Sequence, residues 1–152
     1  MISAWFAAFM GFLLRDLKDR IELPMYELTV EDEFCAAHAL TISGVREEVH
    51  GHNWRVCVAV GGENLDPDGL LCDFHTVEEV LGAVIEPFNN RDLNSVAPFD
   101  RLNPSAEHVA RYIAREMSHR LDQSLAPFAR VLWARVTEAR GCTATYRVPT
   151  KA

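Results

Sequence analysis

Apolar and polar positions alternate with period two along YELTVEDEFCAAHAL and again along HNWRVCVAVGG. This predicts two strands, one within residues 25–40 and one starting near His50 and carrying Trp54, Val56, Val58 and Val60 on a single face. TISGVREEV between them reads as a loop, and ENLDPDG, rich in Asp, Pro and Gly, predicts a chain reversal after the second strand. The two strands are expected to be antiparallel. LLCDFHTVEEVLGAVIEPF then begins extended and passes into helical spacing, with Val77, Val80, Leu81 and Val84 on one face, Asp73 or Thr76 near the N-cap and Pro87 at the end. A second helix is expected in PSAEHVARYIAREMSHRLDQ, with Asn103 as cap, Pro104 in the first turn and Val109, Tyr112, Ile113 and Met117 as the apolar stripe. The tail ARVLWARVTEARGCTATYRV reads as two strands separated around Arg140–Gly141. The expected chain order is β-β-α-α-β-β, an α+β fold in which a four-stranded antiparallel sheet carries two helices on one face.

The start of the chain departs from this patterning, because Ile2 to Leu14 contains no charged residue. As a helix it would span only ~20 Å at about 1.5 Å per residue, too short for a bilayer. The charges Arg15, Asp16, Lys18, Asp19 and Arg20 follow the apolar run instead of preceding it, which is the wrong order for a signal peptide. An interfacial or partner-binding helix, a weak targeting segment and an upstream extension are the three readings. We expect the last, with residues 1–24 an apolar extension of uncertain role and the domain occupying 25–152, since the strand pattern starts cleanly after Pro24.

The 152 residues, 49% hydrophobic and 24% charged, suit one globular domain with its own core. A net charge of -7 offers no basic stripe for phosphate backbones, so a small molecule is a better expected partner than nucleic acid. Cys35, Cys57, Cys72 and Cys142 are scattered, with no Cys-x-x-Cys pair, which suits a reducing cytoplasm. Cys57, within the alternating run, reads as a small core hydrophobe.

REEVHGHNW concentrates the candidate chemistry. His50 and His52 are two apart at a strand start and project to the same face, and His38 lies in the preceding strand in the apolar setting AAHAL. Three neutral imidazoles around one Zn²⁺ leave a fourth position open, the pattern of catalytic zinc. From spacing alone, a hydrogen-bonded core histidine at His38 and a polar turn at His50 and His52 are the commoner readings of such residues, and the metal site is the alternative to them. His75, His108 and His119 read as surface or helix residues.

FCAAHAL, HGHNW with its alternating strand, DPDGLLCDFHTVEEVL, DLN, NPSAEHVARYIA and VTEARGCTATYR together resemble the 6-pyruvoyl-tetrahydropterin synthase and 6-carboxy-tetrahydropterin synthase family, in the family's order and from about Met25 onwards. The resemblance implies a tunnelling fold, trimers stacked into homohexamers, zinc held by His38, His50 and His52, and a pterin site between subunits. It also implies that Glu138 anchors the pterin ring, a task that suits two charged acceptors facing a paired donor edge. No membrane partner is implied.

Two positions depart from the family pattern. Most members place a cysteine base four residues before the first His of His-Gly-His, where this chain has Arg46. Glu47 follows, giving Glu-x-x-His-Gly-His, which resembles a variant branch that uses glutamate and cleaves the side chain of dihydroneopterin triphosphate toward 6-hydroxymethyl-dihydropterin. Glu47 is therefore the expected general base, with Glu48 its neighbour. An Asp-His pair usually precedes the Leu-Asn run, and Asn89 and Asn90 stand there instead; an amide does not titrate near neutral pH. The expected function is a zinc-dependent pterin lyase acting on 7,8-dihydroneopterin triphosphate or a related 6-substituted pterin, and the alternative is a non-catalytic or promiscuous pterin-binding homologue.

Overall fold

The computed structural model describes residues 26–149, so the N-terminal segment 1–24 lies outside the described residues. β1 (Tyr26–His38) and β4 (His50–Gly62) form a long antiparallel pair. Even-numbered positions of both strands face one layer: Val30, Phe34, Ala36 and His38 from β1, and Trp54, Val56, Val58 and Val60 from β4, are all buried. Odd-numbered positions such as Glu31, Glu33 and Arg55 face out, so the period-two pattern translates directly into an inner and an outer face. Phe34 lies opposite Trp54, and their rings stack with centroids 6.0 Å apart.

Two helices cover the inner face. α1 (Phe74–Ile85) is capped by Asp73, whose carboxylate accepts from the His75 N–H, and buries Val77, Leu81, Val84 and Ile85. Pro87 lies in the short 3-10 turn Glu86–Phe88 that follows it, as expected of a residue that cannot continue a helix. α2 (Ala106–Leu125) buries Val109, Ala110, Ile113, Ala114, Met117, Leu121 and Leu125, while Tyr112 is only partly covered. Its N-cap is Ser105, not Asn103, because Pro104 lies one residue before the cap and outside the first turn. The Asn103 side chain is engaged elsewhere, as described below.

The sheet is five-stranded and mixed, in the order β5-β1-β4-β6-β7, rather than four-stranded and antiparallel. The added strand, β5 (Arg91–Asp92), pairs in parallel with Ala36 and Ala37. It is only two residues long, and no hydrophobic period marks so short a strand. β6 (Arg130–Ala139) and β7 (Cys142–Arg147) complete the other side around a turn with Gly141 at φ +83. A second correction concerns TISGVREEV, which is not a loop. Thr41–Ile42 (β2) and Val45–Arg46 (β3) form a separate hairpin. Ser43 and Gly44 at its tip both have positive φ, the requirement of a tight two-residue hairpin turn. The chain order is thus β1-β2-β3-β4-α1-β5-α2-β6-β7 and not β-β-α-α-β-β.

Candidate metal centre

The inner face changes character at one end of the sheet. Above Trp54 the even positions cease to be apolar and become His52 and His50 on β4 and His38 on β1, so the site is the polar continuation of the core layer. His38 pairs directly across from His50, with ring centroids 4.7 Å apart. His52 stands next along the same face, 5.0 Å from His50 and 5.2 Å from His38. The Trp54 ring supports both His38 and His52 edge-on, and its indole N–H donates to the Ala36 carbonyl at 3.2 Å.

Two of the three imidazoles are fixed from behind. Nδ1 of His38 lies 2.8 Å from the Pro104 carbonyl and Nδ1 of His50 lies 2.9 Å from the Glu48 carbonyl. A carbonyl only accepts, so both Nδ1 atoms carry a proton, and in the ligating form of the rings both Nε2 atoms present lone pairs to the cluster. This is the backing that a metal-bound histidine commonly has. For His52, burial lowers the pKa below its usual value, Glu138 opposes that, and His38 and His50 lower it further. The neutral form, which is the form that ligates, is thereby favoured.

Glu138 reaches the same point from β6, where it follows Ala134 and Val136 on the inner face. Thr137 pairs with Thr143 but Ala139 pairs with Cys142, so Glu138 is also the extra residue of a β-bulge at the end of that strand. Oε1 of Glu138 lies 2.8 Å from His38 Nε2 and 3.8 Å from His52 Nε2. Ligating atoms of His38, His50, His52 and Glu138 all fall within 4.8 Å of one another. His38 is fully buried and its Nε2 has no directed hydrogen bond, so a buried ring nitrogen is left facing this centre. Three imidazole nitrogens and one carboxylate oxygen are a donor set that fits Zn²⁺.

The chain beyond His38 is held by two asparagines whose role the sequence did not reveal. Asn94 accepts from the Ala39 N–H at 2.8 Å and donates to the Ala39 carbonyl at 2.9 Å. Asn103 does the same to Thr41, at 2.8 and 3.1 Å. Each amide satisfies both backbone groups of one residue, as a neighbouring strand would, and the turn from β1 into the hairpin is fixed on both sides. Asn94 and Asn103 stood within the motif blocks DLN and NPSAEHVARYIA, which was the available signal; their partners are more than fifty residues away in sequence.

Glu47 lies just past β3, exposed, with its own N–H donating to the Leu40 carbonyl at 2.9 Å and Oε2 3.4 Å from the Leu40 N–H. It therefore faces the segment leaving His38. Asn89 and Asn90 have structural partners: Asn89 Oδ1 accepts from the Cys35 N–H at 3.2 Å, and the Asn90 N–H donates to the Cys35 carbonyl at 2.6 Å. Asn90 adopts φ +57, a conformation that asparagine tolerates better than most residues. A cavity of about 470 Å³ beside β1, β4 and β5 is lined by Cys35, His52, Asn53, Asn90, Arg91 and Asp92 among others. Arg91 and Asp92 thus reach the neighbourhood of His52, though the Asp92 carboxylate is also used to accept from the Asn94 N–H at 3.0 Å. His75, His108 and His119 lie outside the cluster.

Residues 27–149 match the family model described as 6-pyruvoyl tetrahydropterin synthase. The dihydroneopterin monophosphate aldolase of Pyrococcus furiosus is 33% identical over 88 residues, covering 58% of this chain and 71% of that protein. The 6-carboxy-5,6,7,8-tetrahydropterin synthase of Bacillus subtilis is 28% identical over 100 residues, covering 64% and 68%. Among solved structures, 6-pyruvoyl tetrahydropterin synthase from Plasmodium vivax superposes with a TM-score of 0.67 at 22% identity, over 82% of this chain and 98% of that one. A structure of that enzyme with a glutamate described as a catalytic residue replaced by alanine gives a TM-score of 0.64 at 20% identity, with the same coverage of each chain. With the fold, the histidine-carboxylate cluster and these matches in agreement, the chain belongs to the 6-pyruvoyl tetrahydropterin synthase family of pterin-metabolising proteins.

Proposed function

We propose that this protein is a zinc-dependent lyase that cleaves the side chain of a phosphorylated 7,8-dihydroneopterin. The observation that carries the reading is the convergence of His38, His50, His52 and Glu138 at the end of the sheet, with Glu47 on the adjoining segment. His38, His50 and His52 would hold the ion. Bound there, zinc supplies Lewis-acid polarisation of substrate oxygens. Glu138 accepts from the amino and ring N–H groups of the pterin and fixes the ring, so that its side chain extends toward the histidines. Glu47 removes the proton from a side-chain hydroxyl, the step that a cysteine performs in members with the usual pattern. A glutamate is named as catalytic in the Plasmodium vivax enzyme, and the Pyrococcus furiosus relative is named as an aldolase on a monophosphate, both in keeping with this assignment.

A second reading, a pterin carrier without turnover, is favoured by Asn89 and Asn90, which are held in backbone contacts where an acid-base pair would be expected. Incubating the zinc-loaded protein with dihydroneopterin triphosphate and, separately, the monophosphate, and identifying products by mass spectrometry, decides between the two. A lyase yields 6-hydroxymethyl-dihydropterin and a two-carbon phosphorylated aldehyde. Stoichiometric binding without any product would leave the carrier.

A further inference from the structure

We infer that Glu138 closes the coordination of the metal in the ligand-free protein, so that a pterin ring must draw this carboxylate off the ion in order to bind. The inference rests on the proposed zinc site and goes beyond it by giving one carboxylate two successive partners.

Three features carry it. Four ligands at 2.0–2.1 Å from a tetrahedral ion lie about 3.3–3.4 Å from one another. The separations of Glu138 Oε1 from His38 Nε2 and His52 Nε2, 2.8 and 3.8 Å, lie on either side of that edge length. Second, Nδ1 of His38 is engaged by the Pro104 carbonyl, which leaves Nε2 as the ring atom facing the carboxylate oxygen. A fully buried Nε2 with no directed hydrogen bond, in contact with a carboxylate oxygen, is a pair that a metal ion between them would satisfy. Third, Glu138 keeps the inward phase of Ala134 and Val136 along β6 and stands, as the extra residue of the bulge, in contact with the histidines. A carboxylate needed only to receive a pterin from the cavity would not have to lie in contact with a buried imidazole.

Ring and metal then compete for Glu138, and by linkage each weakens the other's hold on it. A pterin with no substituent at C6, which brings no side-chain oxygen, isolates this competition from ligation by a substrate side chain. The test uses the full chain loaded with Co²⁺, whose visible absorption follows the coordination of the ion, together with zinc competition against a chelator. Glu138→Gln is expected to lower zinc affinity at least about tenfold, the low end of what even an outer-shell change costs, and to change the cobalt band. Adding 6-unsubstituted pterin to the cobalt-loaded wild type is expected to move its band toward that of the variant. Unchanged affinity and spectrum in Glu138→Gln overturn the inference while leaving the three-histidine site standing. Should the variant fail to fold, a wild-type band that does not move under a pterin shown by fluorescence to be bound overturns it equally. A wild type that takes up no metal removes the proposed zinc function and this inference together.

Discussion

His52 has a pKa lowered mainly by burial, with Glu138 opposing and His38 and His50 adding to the lowering. Its folded pKa lies below the unfolded value of 6.5, so as pH falls the unfolded chain takes up the proton first. The stability contribution is intact above about pH 6.5 and is lost as pH drops through that value toward the folded pKa. Thermal melts of the metal-free protein between pH 7.5 and 5 should therefore decline, and His52→Gln should flatten the decline; parallel curves for the two proteins would remove His52 as the cause. Glu47 belongs to the same scale. Its replacement by glutamine should cut turnover by about 10²–10⁴-fold, the usual loss for a general base, while pterin binding, followed by ring fluorescence, stays within a few-fold. Turnover that survives would pass the role to another group, with Glu48 the nearest in sequence.

Short connecting elements decide the geometry around the site. Asn90 carries the chain into β5 at φ +57, and its N–H bond to Cys35 anchors that strand to β1. Asn90→Gly should be nearly neutral, whereas Asn90→Val should destabilise by about 1–2 kcal/mol, the penalty of left-handed backbone for a branched residue. Denaturant midpoints measure both, and equal midpoints would mean that the backbone adjusts freely. Two asparagines thus sit where an acid-base pair is usual, and here they do a structural job at the edge of the sheet. Arg91, the next residue, is exposed at the cavity that also contacts His52. On the proposed function its guanidinium suits the substrate phosphate. Arg91→Ala should raise KM for dihydroneopterin monophosphate by roughly tenfold, the order of one lost charge-assisted hydrogen bond, and leave KM for unphosphorylated dihydroneopterin unchanged. A similar rise for both substrates would argue against phosphate recognition.

The whole molecule separates its two faces by function. Helices α1 and α2 seal the inner layer, and the cluster forms where that apolar layer ends. The outer face carries Glu31, Arg55, Cys57, Arg135 and Thr137 around a second cavity. Burial and the neighbouring Glu31 raise the Cys57 thiol pKa, which keeps it protonated and unreactive. It lies on that outer face, half-covered, rather than within the core. Among the described residues no helix is long and apolar enough to cross a membrane. Assembly as stacked trimers is proposed on family grounds, and the short edge strands β5 and β7 are the sheet edges open to a neighbour. If the domain starts near Met25, deleting residues 1–24 should leave zinc stoichiometry and affinity unchanged. A truncated protein that loses metal would make the segment part of the domain.

What the sequence determined by itself is whatever repeats with a period or occupies a recognisable block. The alternation of β1 and β4, the stripes of both helices and the same-face placement of His50 and His52 all follow from local geometry, because side-chain direction along one element depends only on neighbouring residues. What tertiary structure alone decided is everything that joins distant segments or breaks a period. The two-residue strand β5 exists only because β1 lies beside it, and the hairpin β2–β3 is marked by two positive φ angles in a stretch with no clear alternation. Asn94 and Asn103 clamp backbone more than fifty residues away, and Pro104 sets the tautomer of His38. Above all, the pairing of β6 with β4 brings Glu138, an inward position in phase with Ala134 and Val136, against His38. Alternation gives this side chain its face, but only the assembled sheet decides which carboxylate meets the histidines.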